Sequence, residues 1–143
     1  MRLESLPEGV TAQLYRLPPA GESLGAPLFS SSGRWLHPLF ELDEFFAAHP
    51  TSASDLFLRD RVIGTAAAFL ILRLGIREVE SDIASRRALE LLRDGGAKIE
   101  AKTCVEAIGC VTERLLKDES DIEAAYRSLV ERRAQALARM TRP

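Results

Sequence analysis

The stretch that decides the fold is residues 55–75, DLFLRDRVIGTAAAFLILRLG. Its first part is a short apolar run bounded by charges, which predicts a strand at residues 55–59. Asp60 leads out of that strand. A helix that is apolar nearly all round follows at residues 62–74, so we expect it to be buried between other layers. Gly75 is suited to end this helix, because glycine readily adopts the left-handed conformation at a helix C terminus.

Strands and helices alternate on both sides of this unit. Such alternation predicts parallel strands joined by right-handed crossovers, and an opening hairpin makes the sheet mixed. The predicted fold class is therefore α/β: three layers around a mixed sheet, with an N-terminal β-hairpin and alternating β/α units, in one domain over residues 1–143. The predicted strands are residues 10–17, 28–32, 55–59, 77–83 and 98–102, and the predicted helices are residues 35–48, 62–74, 86–93 and 119–141.

Composition narrows the classes of protein. Of the 143 residues, 46% are hydrophobic and 28% are charged, which is typical of a globular chain. The net charge of -2 predicts no nucleic-acid partner and no attraction to an anionic membrane. The N terminus lacks the apolar segment of a secretory signal, and the two cysteines are too few for a disulfide framework. Together these features predict a cytoplasmic protein.

Short motifs in four segments resemble a family of bacterial and archaeal proteins of unknown function. SSG at residues 31–33 with HPLFEL at residues 37–42 is similar to its hairpin-to-helix element. DRVIGTAAA at residues 60–68 resembles its central motif, an Asp-Lys pair followed by a Gly-Lys-Ala-Ala-Ala helix start, and CVTE at residues 110–113 resembles its Cys-Pro-x-Glu motif. The resemblance covers residues 10–116. It implies a cytidine-deaminase-like fold, shared with folate-dependent purine transformylases and a formate-dehydrogenase accessory sulfurtransferase.

The chain departs from the family's motifs at three positions. Arg61 stands where the family often has lysine, Thr65 replaces the lysine after the glycine, and Val111 replaces the proline after Cys110. If those lysines carry out chemistry in relatives, this chain is altered or inactive.

The segment around Asp60 is the best candidate site. Ligands of open α/β sheets bind where the carboxyl ends of strands meet the N termini of helices, and the free N–H groups there favour an anion. Arg61 supplies positive charge, Thr65 a hydroxyl, and Gly64 permits close approach. Two interpretations stay open. Asp60 is either a catalytic or ligand-binding carboxylate, or it caps the helix while small residues allow tight packing.

Cys110 is the second candidate catalytic residue. It is interpreted either as a thiolate nucleophile or persulfide carrier, with Glu113 orienting substrate or moving protons, or as a small buried residue. If the strands preceding Asp60 and Cys110 are parallel neighbours, both residues emerge at one edge of the sheet. We then expect the Asp60 carboxylate and the Cys110 sulfur within roughly 10 Å of each other, in one small-molecule pocket.

A zinc deaminase needs His- or Cys-x-Glu at one helix start and Pro-Cys-x-x-Cys at the next. The chain has neither motif. His37 lies near the first position and is counted with the ligand-binding residues, but a single ligand holds no metal tightly. The sequence therefore predicts no metal and no cofactor.

Two functions from different classes follow. The first is a small-molecule binding protein or zinc-independent enzyme of deaminase-like fold, with an anionic or nucleotide-like ligand. The second is a non-catalytic interaction or regulatory domain that has lost ancestral chemistry. A homodimer is also expected, because bundling the last helix with a second copy would bury a long apolar side made of Tyr126, Leu129, Val130 and Leu137.

Overall fold

The computed structural model describes residues 6–34, 36–49, 52–108 and 114–141. The strands are β1 Ala12–Arg16, β2 Phe29–Ser31, β3 Leu56–Ile63, β4 Glu78–Ser85 and β5 Lys98–Val105, and the helices are α1 His37–Ala48, α2 Thr65–Leu74, α3 Arg86–Asp94 and α4 Ile122–Thr141. None of the described helices combines the length and the apolar character that crossing a bilayer requires.

The five strands form one mixed sheet in the order β2-β1-β3-β4-β5. β1 runs antiparallel to both β2 and β3, whereas β3, β4 and β5 are parallel. Each parallel connection contains a helix, as a crossover between parallel strands requires. The predicted α/β class, the N-terminal hairpin and the alternation of strands and helices are therefore confirmed.

The main hydrophobic cluster lies on one face of this sheet, while Tyr15 and Phe57 are buried on the other. Leu14, Leu58, Val79 and Ile99 are direct neighbours in one row across β1, β3, β4 and β5, and all four are buried. Side chains from all four helices join the same core. α2 packs against α1, α3 and α4, which buries every residue in its first two turns. The fold has three layers, which are the sheet, the helices that pack on it, and α4, which packs against α2.

The structure corrects the predicted boundary between β3 and α2. β3 does not end at Arg59 but continues to Ile63, so Asp60 lies inside the strand. α2 begins at Thr65, and its N-cap position is Gly64, so the interpretation of Asp60 as a helix cap is wrong. The parallel ladder explains the extension, because its backbone hydrogen bonds form whether or not the side chains are charged.

α4 is part of the core rather than a free surface helix. Its N terminus is capped by Asp121, whose Oδ1 accepts a hydrogen bond from the backbone N–H of Glu123 at 2.9 Å. Leu129 is fully buried, and the Tyr126 hydroxyl donates to Asp43 of α1 at 2.9 Å. The four side chains expected to form a dimer surface are therefore not one exposed stripe. Only Val130 and Leu137 among them are exposed.

Candidate functional site

Asp60 belongs to a row of small side chains that crosses the sheet. Its direct neighbours are Ala12 of β1 and Ser81 of β4, and Ser31 and Ala101 continue the row on the two outer strands. Asp60 follows Leu58 by two residues, so it lies on the same, helix-covered face of the sheet. Its exposed fraction is only 7%. A carboxyl group among small side chains is thus enclosed beneath the helices.

The alternation of buried and exposed positions changes just beyond Asp60. Ile63 and Ala84 are fully buried although they are of opposite parity to Leu58 and Val79, while Val62 is exposed. Polar side chains lie where the change occurs. Ser81 Oγ is 3.1 Å from the Arg61 carbonyl and 2.8 Å from the Ile83 carbonyl. The Ser81 hydroxyl therefore donates its proton to backbone carbonyls next to Asp60.

Burial controls the protonation of Asp60. Loss of solvent raises the pKa of this carboxyl from its ordinary value of 3.8 to about 7, although hydrogen bonds from the backbone N–H groups of Val62 and Arg61 lower it. Desolvation acts in this direction because it disfavours the charged form. Near neutral pH such a carboxyl is able both to release and to accept a proton, which is the property required of a general acid or base.

The N terminus of α2 lies five residues after Asp60 in the chain. One residue, Gly64, separates β3 from α2, and the first helical residue, Thr65, is fully buried. No acidic residue occupies the first turn of α2, so the positive end of its dipole is not neutralised from within the helix. Gly64 and Thr65 form the start of α2, about 13 Å along the strand from Asp60 at a rise of about 3.3 Å per residue, and their joint role with Asp60 remains a prediction from the sequence.

Arg61 does not share the helix-covered face of the sheet with Asp60. Its guanidinium donates to the Val10 carbonyl at 2.6 Å and lies 3.9 Å from the Asp82 carboxylate. Asp82 is also contacted by Lys102, at 3.6 Å. These contacts place Arg61 on the face of the sheet opposite Asp60, where it holds the chain that leads into β1. Its assignment as a ligand-binding residue remains a prediction from the sequence.

His37 lies at the start of α1, two strands away from Asp60. It is exposed, and Gly33 approaches it so closely that a Cβ on this glycine would lie 3.2 Å from the Cβ of His37 and 3.2 Å from Glu41. The row of the sheet that contains Asp60 reaches β2 at Ser31, about 10 Å away at two interstrand spacings. The structure thus puts His37 near the same end of the molecule without joining it to Asp60.

Cys110 and Glu113 lie outside the described residues, so their distance from Asp60 remains a prediction. β5 ends at Val105, which pairs with Ser85 at the start of α3. The five residues from Val105 to Cys110 can extend over roughly 17 Å. The chain is therefore long enough to return Cys110 to the end of the sheet where α2 begins.

No group of three potential metal ligands occurs among the residues that the structure describes. Cys104, the cysteine within this part of the chain, is exposed on β5. The sequence prediction that the protein holds no catalytic zinc rests on the missing motifs, and metal analysis of the purified protein is its test.

A surface depression of about 670 Å³ opens at the other end of the sheet. It lies where β4 and β5 begin, between Glu78, Arg93 and Lys98. Charged side chains together with the apolar Ala97 and Ile99 form its walls, and it contains none of the predicted site residues. We place the candidate site at Asp60, because a carboxyl group whose pKa is strongly raised by burial is a candidate for a functional residue.

Sequence reasoning missed two polar features of β3 and β4. Ser81 is buried beside Asp60, and Arg59 pairs with Glu80 at 3.6 Å with side-chain exposures of 6% and 1%. Arg59 also lies over the rings of Tyr15 and Phe57. The sequence did contain a signal for this pair. The segments FLRD at residues 57–60 and VESD at residues 79–82 overlap two predicted strands and carry charges of opposite sign.

Comparison with known proteins now gives the family. Residues 26–133 match the family described as TM1506, a domain of unknown function (DUF1893). A crystal structure of a DUF1893 family protein from Thermotoga maritima superposes with a TM-score of 0.74 at 19% sequence identity, covering 87% of this chain and 82% of that one. No curated protein matches the chain at a significant level. The match over most of its length shows that the chain belongs to the DUF1893 family.

Proposed function

We propose that the protein binds a small anionic or nucleotide-like molecule beside Asp60, and that the Asp60 carboxyl exchanges a proton with this ligand. The observation that carries the proposal is a carboxyl group enclosed on the helix-covered face of the sheet, with a pKa raised to about 7 by burial. An isolated buried carboxyl costs stability, so its presence favours a role in binding or proton transfer.

The N terminus of α2 supports the choice of ligand. The backbone N–H groups of a helix's first turn and the dipole of the helix favour a negative group such as phosphate. Gly64 allows close approach, and Thr65 adds a hydroxyl in the first turn. Cys110 and Glu113 belong to this proposal as candidate nucleophile and proton carrier, because both come after the last strand, β5, in the chain.

Further parts of the sequence interpretation belong to the same proposal. The order of a hairpin followed by alternating strands and helices is compatible with a cytidine-deaminase-like fold. The reaction, if the site is catalytic, uses no zinc, because the sequence lacks both zinc-binding motifs. A cytoplasmic location fits the composition and the exposed free Cys104.

A non-catalytic interaction domain is the second candidate. Arg61, which the family resemblance placed in the site, is engaged with Val10 and Asp82 on the opposite face. Loss of catalytic activity would leave such a protein, in which the fold is kept and a residue of the former site now stabilises the chain instead. The binding experiment separates the two candidates.

The experiment is ligand-observed NMR with inorganic phosphate, cytidine, cytidine monophosphate and adenosine monophosphate at pH 6 and pH 8. We expect the two nucleotides to bind at least about threefold more tightly at pH 6, because ionised Asp60 repels an anion at pH 8. Asp60→Asn should lose the preference for pH 6 and keep only the pH dependence that comes from ionisation of the phosphate itself, whereas the exposed control Asp94→Asn should behave as wild type. No binding of any of the four probes, or the same pH dependence in Asp60→Asn, would contradict the proposal.

A further inference from the structure

The edge strand β5 presents a long unpaired side. It has eight residues, Lys98–Val105, and pairs with β4 along its whole length. On its outer side no strand is paired with it among the residues that the structure describes. An edge of this length is a template for another strand unless its side chains prevent pairing.

The backbone direction along β5 defines which groups face outwards. The N–H of Lys98 donates to the Arg77 carbonyl at 2.7 Å, so Lys98 and the other even-numbered residues direct their backbone groups towards β4. Because successive residues alternate, Ile99, Ala101 and Thr103 direct their N–H and C=O groups to the open side. Three consecutive donor and acceptor pairs are therefore available to a partner strand.

The side chains of β5 alternate in charge on one face. Lys98, Glu100 and Lys102 follow one another at every second position, and all three are exposed. Lysine on an edge strand ordinarily discourages pairing. A glutamate between two lysines instead lets a second copy of the same strand pair with it in a suitable register.

We propose that two copies of the protein associate through antiparallel pairing of their β5 strands about a two-fold axis at Ala101. In this register Glu100 lies opposite the partner's Lys102, and Lys102 lies opposite the partner's Glu100. Cross-strand pairs of opposite charge stabilise a sheet, and like charges directly opposite destabilise it. The outward backbone groups of Ile99, Ala101 and Thr103 meet those of the partner's Thr103, the partner's Ala101 and the partner's Ile99, in that order.

Charge selects this register over its neighbours. A shift of two residues in one direction sets Glu100 against the partner's Glu100 and Lys98 against the partner's Lys102. A shift of two in the other direction sets Lys102 against the partner's Lys102 and moves Glu100 opposite the partner's Cys104. Shifts by one residue are excluded, since they would join opposite faces of the two sheets. The proposed register is the one that covers the whole strand without a like-charge pair.

The same register puts Lys98 opposite the partner's Cys104. Both residues direct their backbone groups towards their own β4, so they form a non-hydrogen-bonded pair, in which Cα atoms are about 4.5 Å apart. That spacing lies within the range of disulfides. The native cysteine thus provides a probe of the interface that does not depend on the Asp60 site.

The first test is cross-linking under mild oxidation. Lys98→Cys should form a disulfide-linked dimer, in which the introduced thiol is bonded to the partner's Cys104, and the added change Cys104→Ser should abolish this bond. Glu100→Cys is the matched control, because only the shifted register would place it opposite the partner's Cys104. Efficient cross-linking of Glu100→Cys with none for Lys98→Cys would overturn the proposed register.

The second test is the mass in solution, measured by light scattering across micromolar concentrations. Wild type should be a dimer, and Glu100→Lys should be largely monomeric because it faces the partner's Lys102. The charge exchange Glu100→Lys with Lys102→Glu should restore the dimer, whereas Glu22→Lys, an equal charge change in an exposed loop, should leave it intact. A monomeric wild type, or a dimer lost by Val130→Lys on α4 and unaffected by Glu100→Lys, would refute pairing through β5.

Discussion

At the scale of single residues, Asp60 makes the stability of the fold depend on pH. Its pKa is 3.8 in an unfolded chain and about 7 in the folded protein. Between these values the unfolded state has released its proton while the folded state retains it, so stability falls as pH rises. Below pH 3.8 both states are protonated and the cost vanishes; above pH 7 it is complete. A difference of about three in pKa corresponds to about 4 kcal/mol.

Asp60→Asn should remove this dependence. The free energy of unfolding of the variant should exceed that of wild type by up to about 4 kcal/mol at pH 8, and the two should converge near pH 4. Urea unfolding at a series of pH values measures the difference, and Asp94→Asn serves as the exposed control. A variant that is less stable than wild type at pH 8 would show that the charged carboxylate supports the fold.

The pair formed by Arg59 and Glu80 is the second buried charge feature. Arg59→Met leaves the Glu80 carboxylate buried without this partner, and we expect a loss of about 3 kcal/mol in the free energy of unfolding. Adding Glu80→Gln should restore part of that loss, because the second change removes the buried charge. Chemical denaturation of the three variants is the measurement, and independent, additive losses would contradict a coupled pair.

At the scale of elements, two substitutions in the last helix, α4, test whether it packs on its own chain. Leu129 is fully buried in the core of its own chain, whereas Leu137 is 48% exposed. Leu129→Ala should cost about 2 to 4 kcal/mol, as truncation of a buried leucine usually does. Leu137→Ala should change stability by less than about 0.5 kcal/mol. Urea denaturation of both variants decides the matter, since equal small losses would mean that α4 is not packed on α2.

The elements could be predicted from the sequence where apolar periodicity was strong. The buried helix α2 and the opening hairpin followed from apolar runs and from the glycine that ends the helix. The carboxyl half of β3 could not be predicted. Three charged residues in succession, Arg59 to Arg61, are typical of a strand end, but the backbone ladder with β4 continues through them, and Arg59 and Arg61 pair with Glu80 and Asp82 of that strand.

The candidate site, too, could be predicted only in part from the sequence. A chain order of strand, Gly64 and helix indicated a ligand position, and the structure confirms this chain order but places Asp60 inside the strand, before Gly64 and Thr65. The separation of Arg61 from Asp60 could not be inferred while β3 was thought to end at Arg59, because alternation assigns faces only within a strand. Ser81 escaped notice for a related reason, since its importance depends on the pairing of β4 with β3.

At the scale of the whole molecule, the sheet separates two surfaces. One face carries the helices and encloses Asp60, and the outer edge at β5 offers backbone groups and alternating charges to a second copy. Pairing of β5 would extend the sheet across both copies while leaving α2 and Asp60 untouched. Ligand binding and dimer formation are therefore expected to be independent, and Glu100→Lys should bind nucleotides as wild type does.

The central claim is that folding encloses one carboxyl group and shifts its ionisation into the neutral range. Carbon-13 NMR of the Asp60 side-chain carboxyl, followed over pH in the folded protein and in urea, measures this directly. The resonance assignment comes from Asp60→Asn, in which the signal is absent. We predict a midpoint of about 7 in the folded protein and about 3.8 in the unfolded chain. A folded-state midpoint at or below the unfolded one would contradict the account.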